Sequence, residues 1–151
     1  MFYGSISGLY RKGPSVFWLK EWGSINSVSY CEHILPVVRD YIASHPGLVF
    51  QQDDASGHAS AYTKLRFIGQ GIQPITWPPF SLDLNPIETV WDWLNDLVEQ
   101  INPEYHRSHA KLQKQIEQAL ESISEERVRE LVSRASMRRR CQAVIDAKEH
   151  I

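Results

Sequence analysis

Residues 77–91, WPPFSLDLNPIETVW, carry the strongest local structure signal in the chain. Asn85 suits the N-cap of a helix and Pro86 its first position. Glu88 then falls at the third position, where a carboxylate favours the exposed amides and the helix dipole. Further apolar residues recur at helical spacing and form one continuous stripe: Ile87, Val90, Trp91, Leu94, Leu97, Val98 and Ile101. The segment predicts a proline-rich loop followed by a long amphipathic helix, with Glu88 in its first turn.

The segment upstream of this loop contains a second candidate carboxylate, Asp53. Residues 48–52 and 72–77 predict two strands, with a short helix over 59–68 between them. Asp53 follows the first strand, at the position where open α/β sheets place functional side chains. A strand-end aspartate and a helix-start glutamate can converge and supply the oxygen ligands that magnesium or manganese prefers. Taken singly, a carboxylate at either position is usually a turn or cap residue, and that alternative stays open.

The N-terminal part of the chain predicts a hairpin and a helix. Strands are expected at residues 2–7 and 15–19, joined by a turn over 8–14. A helix should begin at an Asn26 N-cap and continue through Tyr41, with Pro36 kinking or dividing it. Its buried face is expected to comprise Val28, Cys31, Ile34, Leu35 and Val38.

The C-terminal part predicts two further helices and no strands. Ser124, followed by Glu125 and Glu126, is a cap signal that separates them. Their expected buried faces are Leu112, Ile116, Leu120 and Ile123 in the first, and Val128, Leu131, Val132 and Ala135 in the second. The pattern is therefore mixed and strand-containing first, then helical.

Composition excludes several classes of protein. The chain has 151 residues, 42% hydrophobic and 23% charged, which fits one folded domain rather than a disordered polymer. No apolar run approaches the roughly 20 residues that cross a bilayer, and no targeting signal is evident. Cys31 and Cys141 are expected to be reduced thiols, and the histidines show no zinc pattern. A net charge of −2 is not that of a strongly basic DNA-binding module, so the basic cluster at 134–140 is either a solvated helix face or a phosphate-contacting patch.

Two segments resemble motifs of the Tc/mariner superfamily of DDE transposases. Residues 50–58, FQQDDASGH, are similar to that family's QQDNAPxH, and residues 77–91 to its WPxxSPDLNPIExxW. Between Asp53 and Glu88 lie 34 residues, the spacing typical of one large branch of the superfamily. Asp54 stands where the family usually has asparagine, and Leu82 replaces the loop proline. The similarity covers about residues 1–100.

The resemblance implies a ribonuclease H-like, retroviral integrase-type α/β fold, in which a mixed sheet is flanked by helices. Three acidic residues there bind two Mg²⁺ or Mn²⁺ ions and cut and join DNA strands by phosphoryl transfer. Asp53 matches the second family aspartate and Glu88 the glutamate, so both are predicted metal ligands and catalytic residues. We expect residues 1–101 to be an N-terminally truncated catalytic domain and residues 102–151 a helical extension.

Residues 2–8, FYGSISG, also resemble a block of the family, and the family's first catalytic aspartate lies on a strand upstream of that block. The first acidic residue in this chain is Glu21, and the family's N-terminal helix-turn-helix modules have no match. The resemblance therefore implies a fragment that lacks one metal ligand and is inactive alone. The alternative is a non-catalytic relic that binds DNA or dimerises through its C-terminal helices.

The remaining predictions concern supporting residues and partners. Candidates around the metal ligands are Asp54, His58, Asp83, Asn85 and Asp92, and candidates for DNA phosphate contacts are Arg11, Lys12, Arg138, Arg139 and Arg140. Trp77, Trp91 and Trp93 are expected to pack in the core or loop rather than stack on bases. The expected partners are transposon-end and target DNA and a second copy of the chain, with no membrane and no small-molecule substrate. In a eukaryotic host the expected location is the nucleus.

Overall fold

The computed structural model describes residues 1–9, 11–78, 81–101 and 108–148, which form a small hairpin and eight helices in those ranges. The elements are β1 (Phe2–Ser7), β2 (Arg11–Phe17), α1 (Ser27–His33), α2 (Leu35–Ser44), α3 (Ser56–Ala59), α4 (Ala61–Gly69), α5 (Pro86–Ile101), α6 (His109–Ser122), α7 (Glu125–Leu131) and α8 (Arg134–Lys148), with 3₁₀ turns at Lys20–Trp22 and Leu82–Leu84. Two compact units result: the first comprises Met1–Ser5 and Gly13–Leu82, the second Ile6–Lys12 and Asp83–Ile151. No helix in the described part of the chain is long and apolar enough to span a membrane.

The hairpin confirms two predicted strands but corrects their turn. β2 begins at Arg11, so the turn is shorter than the predicted 8–14 and Gly13 lies within a strand. A Cβ on Gly13 would collide with the Ser5 hydroxyl, which donates to the Pro14 carbonyl at 3.1 Å. A residue without a side chain therefore fits this strand position, although glycine usually indicates a turn.

A capping box starts α1 as the sequence predicts. The Asn26 side chain accepts hydrogen bonds from the amides of Val28 and Ser29 at 2.9 and 3.1 Å, and Ser29 Oγ accepts one from Asn26 N at 3.0 Å. The chain then divides at Ile34, with Pro36 in the first turn of α2, so the predicted break is confirmed. Val28 is exposed, contrary to prediction, and the buried residues of α1 are Ser29, Tyr30 and Cys31. The buried cluster of this unit is Trp18, Tyr30, Cys31, Ile34, Leu35, Val38, Phe67 and Ile72.

The strands predicted at 48–52 and 72–77 were wrong. Both segments are irregular chain, joined by a hydrogen bond from Ile75 N to Phe50 O at 2.8 Å. A β-ladder needs a repeating series of such bonds, which a local apolar pattern alone does not provide. The helix predicted over 59–68 is also different, since the chain breaks at Ser60 between α3 and α4. The described residues therefore form a mostly helical α/β arrangement with one two-stranded sheet.

The second unit packs α5, α6 and α7 around a separate apolar cluster. Its buried members are Val90, Ile123, Val128 and Leu131, with Ile6, Ile87, Trp93 and Leu97 partly buried against them. The α5 stripe is confirmed except at Ile101, which is exposed. Trp93 packs against this cluster as predicted, and the Arg127 guanidinium lies 4.1 Å from the centroid of its ring.

The cap signal after α6 is also confirmed. Ser124 Oγ accepts a hydrogen bond from Arg127 N at 3.2 Å and starts α7. The helix predicted from Val128 to Ala135 is instead divided between α7 and α8, and Ala135 is exposed. A second local cap, Ser136 N to Ser133 Oγ at 3.1 Å, starts the new helix and explains the division.

Candidate functional site

Asp53 lies between the segment that contains Phe50 and the short helix α3. Its Oδ1 is 2.5 Å from Nδ1 of His58 and accepts a hydrogen bond from Ala55 N at 3.3 Å. The Asp53 side chain is 38% exposed and that of His58 is 26% exposed. One carboxylate oxygen is thus oriented by the protein while the group stays accessible to solvent. Asp54 is exposed beside it.

His58 is held in turn by two residues from other parts of the first unit. The Tyr30 ring lies 4.5 Å from the imidazole, centroid to centroid. Gln52 Nε2 donates to the His58 carbonyl at 3.4 Å, and the Tyr30 hydroxyl donates to Gln52 Oε1 at 3.1 Å. Burial raises the pKa of Tyr30 well above its usual value, so the hydroxyl keeps its proton and acts as the donor. A connected set of contacts therefore extends from Asp53 through His58 to Gln52 and Tyr30.

The loop that carries His58 is anchored by a buried threonine. Thr63 Oγ1 donates to the Gly57 carbonyl at 2.5 Å and accepts a hydrogen bond from Ser60 Oγ at 2.9 Å. Ser60 also caps α4 by accepting from Thr63 N at 3.1 Å. Because Thr63 is fully buried, the His58 loop is fixed to the core rather than only to solvent-exposed groups.

Glu88 lies in the second unit, at the third residue of α5 as predicted, and is half-buried. Its amide donates to the Asn85 carbonyl at 3.2 Å, and Asn85 Nδ2 donates to Glu88 Oε1 at 3.2 Å. Asn85 is only 6% exposed, so its amide is a fixed partner for the carboxylate. Asp83 and Asp92 are exposed.

The basic candidates occupy quite different surroundings. Arg138 and Arg139 are exposed on α8. Arg140 instead donates from Nη1 to the Asp83 carbonyl at 3.3 Å and from Nη2 to Thr89 Oγ1 at 3.1 Å. Lys12 Nζ donates to the carbonyl oxygens of Leu120 and Glu121 at 2.6 and 3.5 Å, in the last turn of α6. Arg11 is the first residue of β2.

Several contacts at these positions could not be read from the sequence. Tyr30 and Gln52 are 22 residues apart, and Arg140 and Thr89 are 51 apart. Tyr30 looks like an ordinary core aromatic on a helical stripe, and no local signal marks it as a partner of Gln52. Pro79 and Phe80, in the proline-rich loop, lie outside the described residues, as does the start of the predicted extension at residue 102.

The donor chemistry of the two carboxylates suits a hard divalent cation. Asp53 and Glu88 both offer carboxylate oxygens, and each is oriented by a neighbouring nitrogen donor. They belong to different compact units. Among the described residues there is no group of three His, Cys, Asp or Glu side chains that could hold a metal ion. Asp53 and Glu88 therefore fit a hard divalent cation as individual ligands.

Comparison with known proteins shows which family the chain belongs to. Residues 5–113 match the family model described as DDE superfamily endonuclease, and the chain belongs to that family. The resemblance to Tc/mariner transposases is confirmed. The family generally uses a divalent metal.

Individual relatives are transposases of nematode transposable elements. The chain is 39% identical to the Tc1 transposase of Caenorhabditis elegans over 101 residues, which are 67% of this chain and 35% of the relative. It is 34% identical to the Tcb2 transposase of Caenorhabditis briggsae over 139 residues, covering 90% of this chain and 49% of the relative. The chain thus spans between about a third and a half of the length of these relatives.

Proposed function

We propose that this chain contributes two metal-binding carboxylates, Asp53 and Glu88, to a transposase active site that cuts and joins DNA by phosphoryl transfer. The observation that carries the proposal is the Asp53 carboxylate, which accepts hydrogen bonds from His58 and Ala55 yet remains accessible. Gln51, Gln52, Ala55 and His58 match the family motif around it, although Asp54 departs from that motif. Glu88 follows at the family spacing. Magnesium is the proposed physiological metal, with manganese as a substitute.

The chain's own residues have distinct parts in this mechanism. Asp53 and Glu88 would ligate the metal through oxygen, and His58 and Asn85 would hold these carboxylates in orientation. The metal held by these residues would stabilise charge on the phosphoryl group and activate the attacking oxygen. The supporting candidates Asp54, Asp83 and Asp92 are exposed, so their proposed contribution is to the negative potential that attracts cations.

Several finer features belong to the same proposal. The complete fold would be ribonuclease H-like, with a larger mixed sheet than the hairpin of the described residues. The boundary between catalytic domain and helical extension would fall near residue 101. The DNA partners would be transposon ends and target, with a homodimer as the working form and the nucleus as the location in a eukaryotic host.

Metal titration tests the proposal directly. Asp53→Asn, Glu88→Gln and His58→Ala should each weaken Mn²⁺ binding, measured by calorimetry, by at least about tenfold, because ligands and the residues that orient them set the affinity. Asp96→Asn is the matched control, since Asp96 is an exposed carboxylate on the same helix as Glu88. Equal Mn²⁺ affinity in Asp53→Asn, Glu88→Gln and the control would contradict the proposal.

A second candidate function, DNA binding without catalysis, is favoured by the exposed cations of α8. Arg138 and Arg139 both present their side chains to solvent, as phosphate contacts require. Lys12 differs, because its ammonium donates to the C-terminal carbonyls of α6, where a cation also suits the helix dipole.

Salt-dependent DNA binding separates these residues. Replacing Arg138 and Arg139 together with glutamine should reduce the slope of log affinity against log salt by about two. Lys12→Gln should leave the slope unchanged, because its cation is already used within the protein. Filter binding over a series of salt concentrations measures the slope for both variants. A reduction of about one for Lys12→Gln, with none for the arginine pair, would reverse the assignment.

A further inference from the structure

The guanidinium of Arg140 holds both ends of a short segment that contains Glu88. One nitrogen donates to the Asp83 carbonyl in the 3₁₀ turn, and the other to the Thr89 hydroxyl in the first turn of α5. Residues 84–88 lie between these two attachment points. Arg140 is half-buried, whereas its neighbours Arg138 and Arg139 are exposed. Its position is therefore set by contacts that the rest of the basic cluster does not share.

The segment held in this way includes the groups that orient the Glu88 carboxylate. Asn85 is buried and donates to Glu88 Oε1 at 3.2 Å, while the Glu88 amide donates to the Asn85 carbonyl. Thr89, which accepts from Arg140, is the residue directly after Glu88. A change in the Arg140 contacts would thus act on both sides of the carboxylate.

Helix stability alone does not account for a cation at this place. A positive charge near a helix N-terminus opposes the helix dipole, so arginine is an unfavourable choice there on general grounds. Its planar guanidinium, however, presents donors on two separate nitrogens in a fixed geometry, whereas the donors of lysine all belong to one nitrogen. Arginine is therefore suited to hold the 3₁₀ turn at Asp83 and the first turn of α5 at Thr89 in fixed relative positions.

Arg140 also lies outside the part of the chain that matches the family model. That match ends at residue 113, and α8 begins at Arg134. α8 is anchored at its first turn by Ser136, which is buried and whose amide donates to Ser133 Oγ. The C-terminal helix can therefore present Arg140 from a fixed base.

We infer that Arg140 is a positioning residue for Glu88, so that α8 forms part of the support of the metal-binding carboxylate. The inference rests on the proposed function of Glu88 as a ligand. Arg140 contacts neither metal nor DNA in this role, and acts through the Asp83 carbonyl and the Thr89 hydroxyl.

The first measurement is hydrogen–deuterium exchange of the 151-residue chain. In Arg140→Met, the amides of Glu88, Thr89 and Val90 should exchange about tenfold faster, because a charge-assisted contact that limits local opening is lost. Arg139→Met is the matched control and should not change exchange at these amides. Thr89→Val removes one acceptor without altering α8 and should give a smaller increase. Equal exchange in the Arg140→Met and Arg139→Met variants would overturn the inference.

The second measurement is the Mn²⁺ affinity of the same variants. Arg140→Met should lower it severalfold, and Arg140→Lys should recover part of the loss, since lysine can retain one of the two contacts. Faster exchange with unchanged Mn²⁺ affinity in Arg140→Met, in a protein where Glu88→Gln does weaken binding, would reduce Arg140 to a structural role and refute the inference. If Glu88→Gln itself leaves Mn²⁺ binding unchanged, the proposed function fails, and the exchange data still decide whether Arg140 holds the α5 start.

Discussion

Phe67→Ala should lower the free energy of unfolding by about 3–5 kcal/mol, the usual cost of removing a buried aromatic side chain. Phe67 is fully buried in α4. Its ring is stacked on Phe50 with centroids 5.0 Å apart and lies 6.2 Å from the ring of Tyr30. Truncation would leave a cavity beneath Phe50, three residues before Asp53. Guanidinium denaturation followed by circular dichroism measures the change.

Leu65→Ala is the matched control for this substitution. Leu65 lies on the same helix but is 69% exposed, so its truncation should change stability by no more than about 0.5 kcal/mol. A loss below about 1 kcal/mol for Phe67→Ala would show that the aromatic cluster of the first unit is not packed as described.

DNA cleavage by a polypeptide of these 151 residues should stay at the background level of its Asp53→Asn, Glu88→Gln double variant. The resemblance implies a site of three carboxylates, and the described residues contain no group of three side chains that could hold a metal ion. Incomplete ligation leaves the reacting groups misplaced, and an error of about 1 Å can cost about 100-fold in rate. Nicking of labelled transposon-end DNA in Mg²⁺ and in Mn²⁺ measures this.

The double variant makes the cleavage assay decisive, because contaminating nucleases act equally in both preparations. Metal-dependent cleavage by the unaltered chain that the double variant lacks would contradict the expected inactivity. It would also show that Asp53 and Glu88 function without a third ligand of the expected type. Equal rates of cleavage in both preparations would come from contaminating nucleases and would agree with the expected inactivity.

Features that depend on local chemistry were predicted well. The caps at Asn26 and Ser124 and the break at Pro36 each depend on a few adjacent residues, and the structure contains all three. The position of Glu88 in the first turn of α5 follows in the same way from Pro86. Local hydrogen bonding and the fixed backbone angle of proline explain these features without reference to a tertiary contact.

Features that depend on distant partners were not predictable in this way. The segments at 48–52 and 72–77 have the composition of strands, but strand formation requires a hydrogen-bonded neighbour along their whole length. The contact of Lys12 with α6 joins residues 108 positions apart, and the Tyr30–Gln52 contact joins residues 22 apart. The metal-ligand assignments themselves come from family resemblance, because a lone carboxylate after an apolar segment or in a helix's first turn has several ordinary explanations.

The different environments of the two cysteines make this chain suitable for selective labelling. Cys31 is buried and contacts the Thr63 hydroxyl, while Cys141 is exposed on α8 directly after Arg140. A maleimide dye or nitroxide applied to the folded chain would therefore attach to Cys141 and leave Cys31 intact. The chain thus offers, without any engineered thiol, a spectroscopic reporter beside the guanidinium that contacts the start of α5.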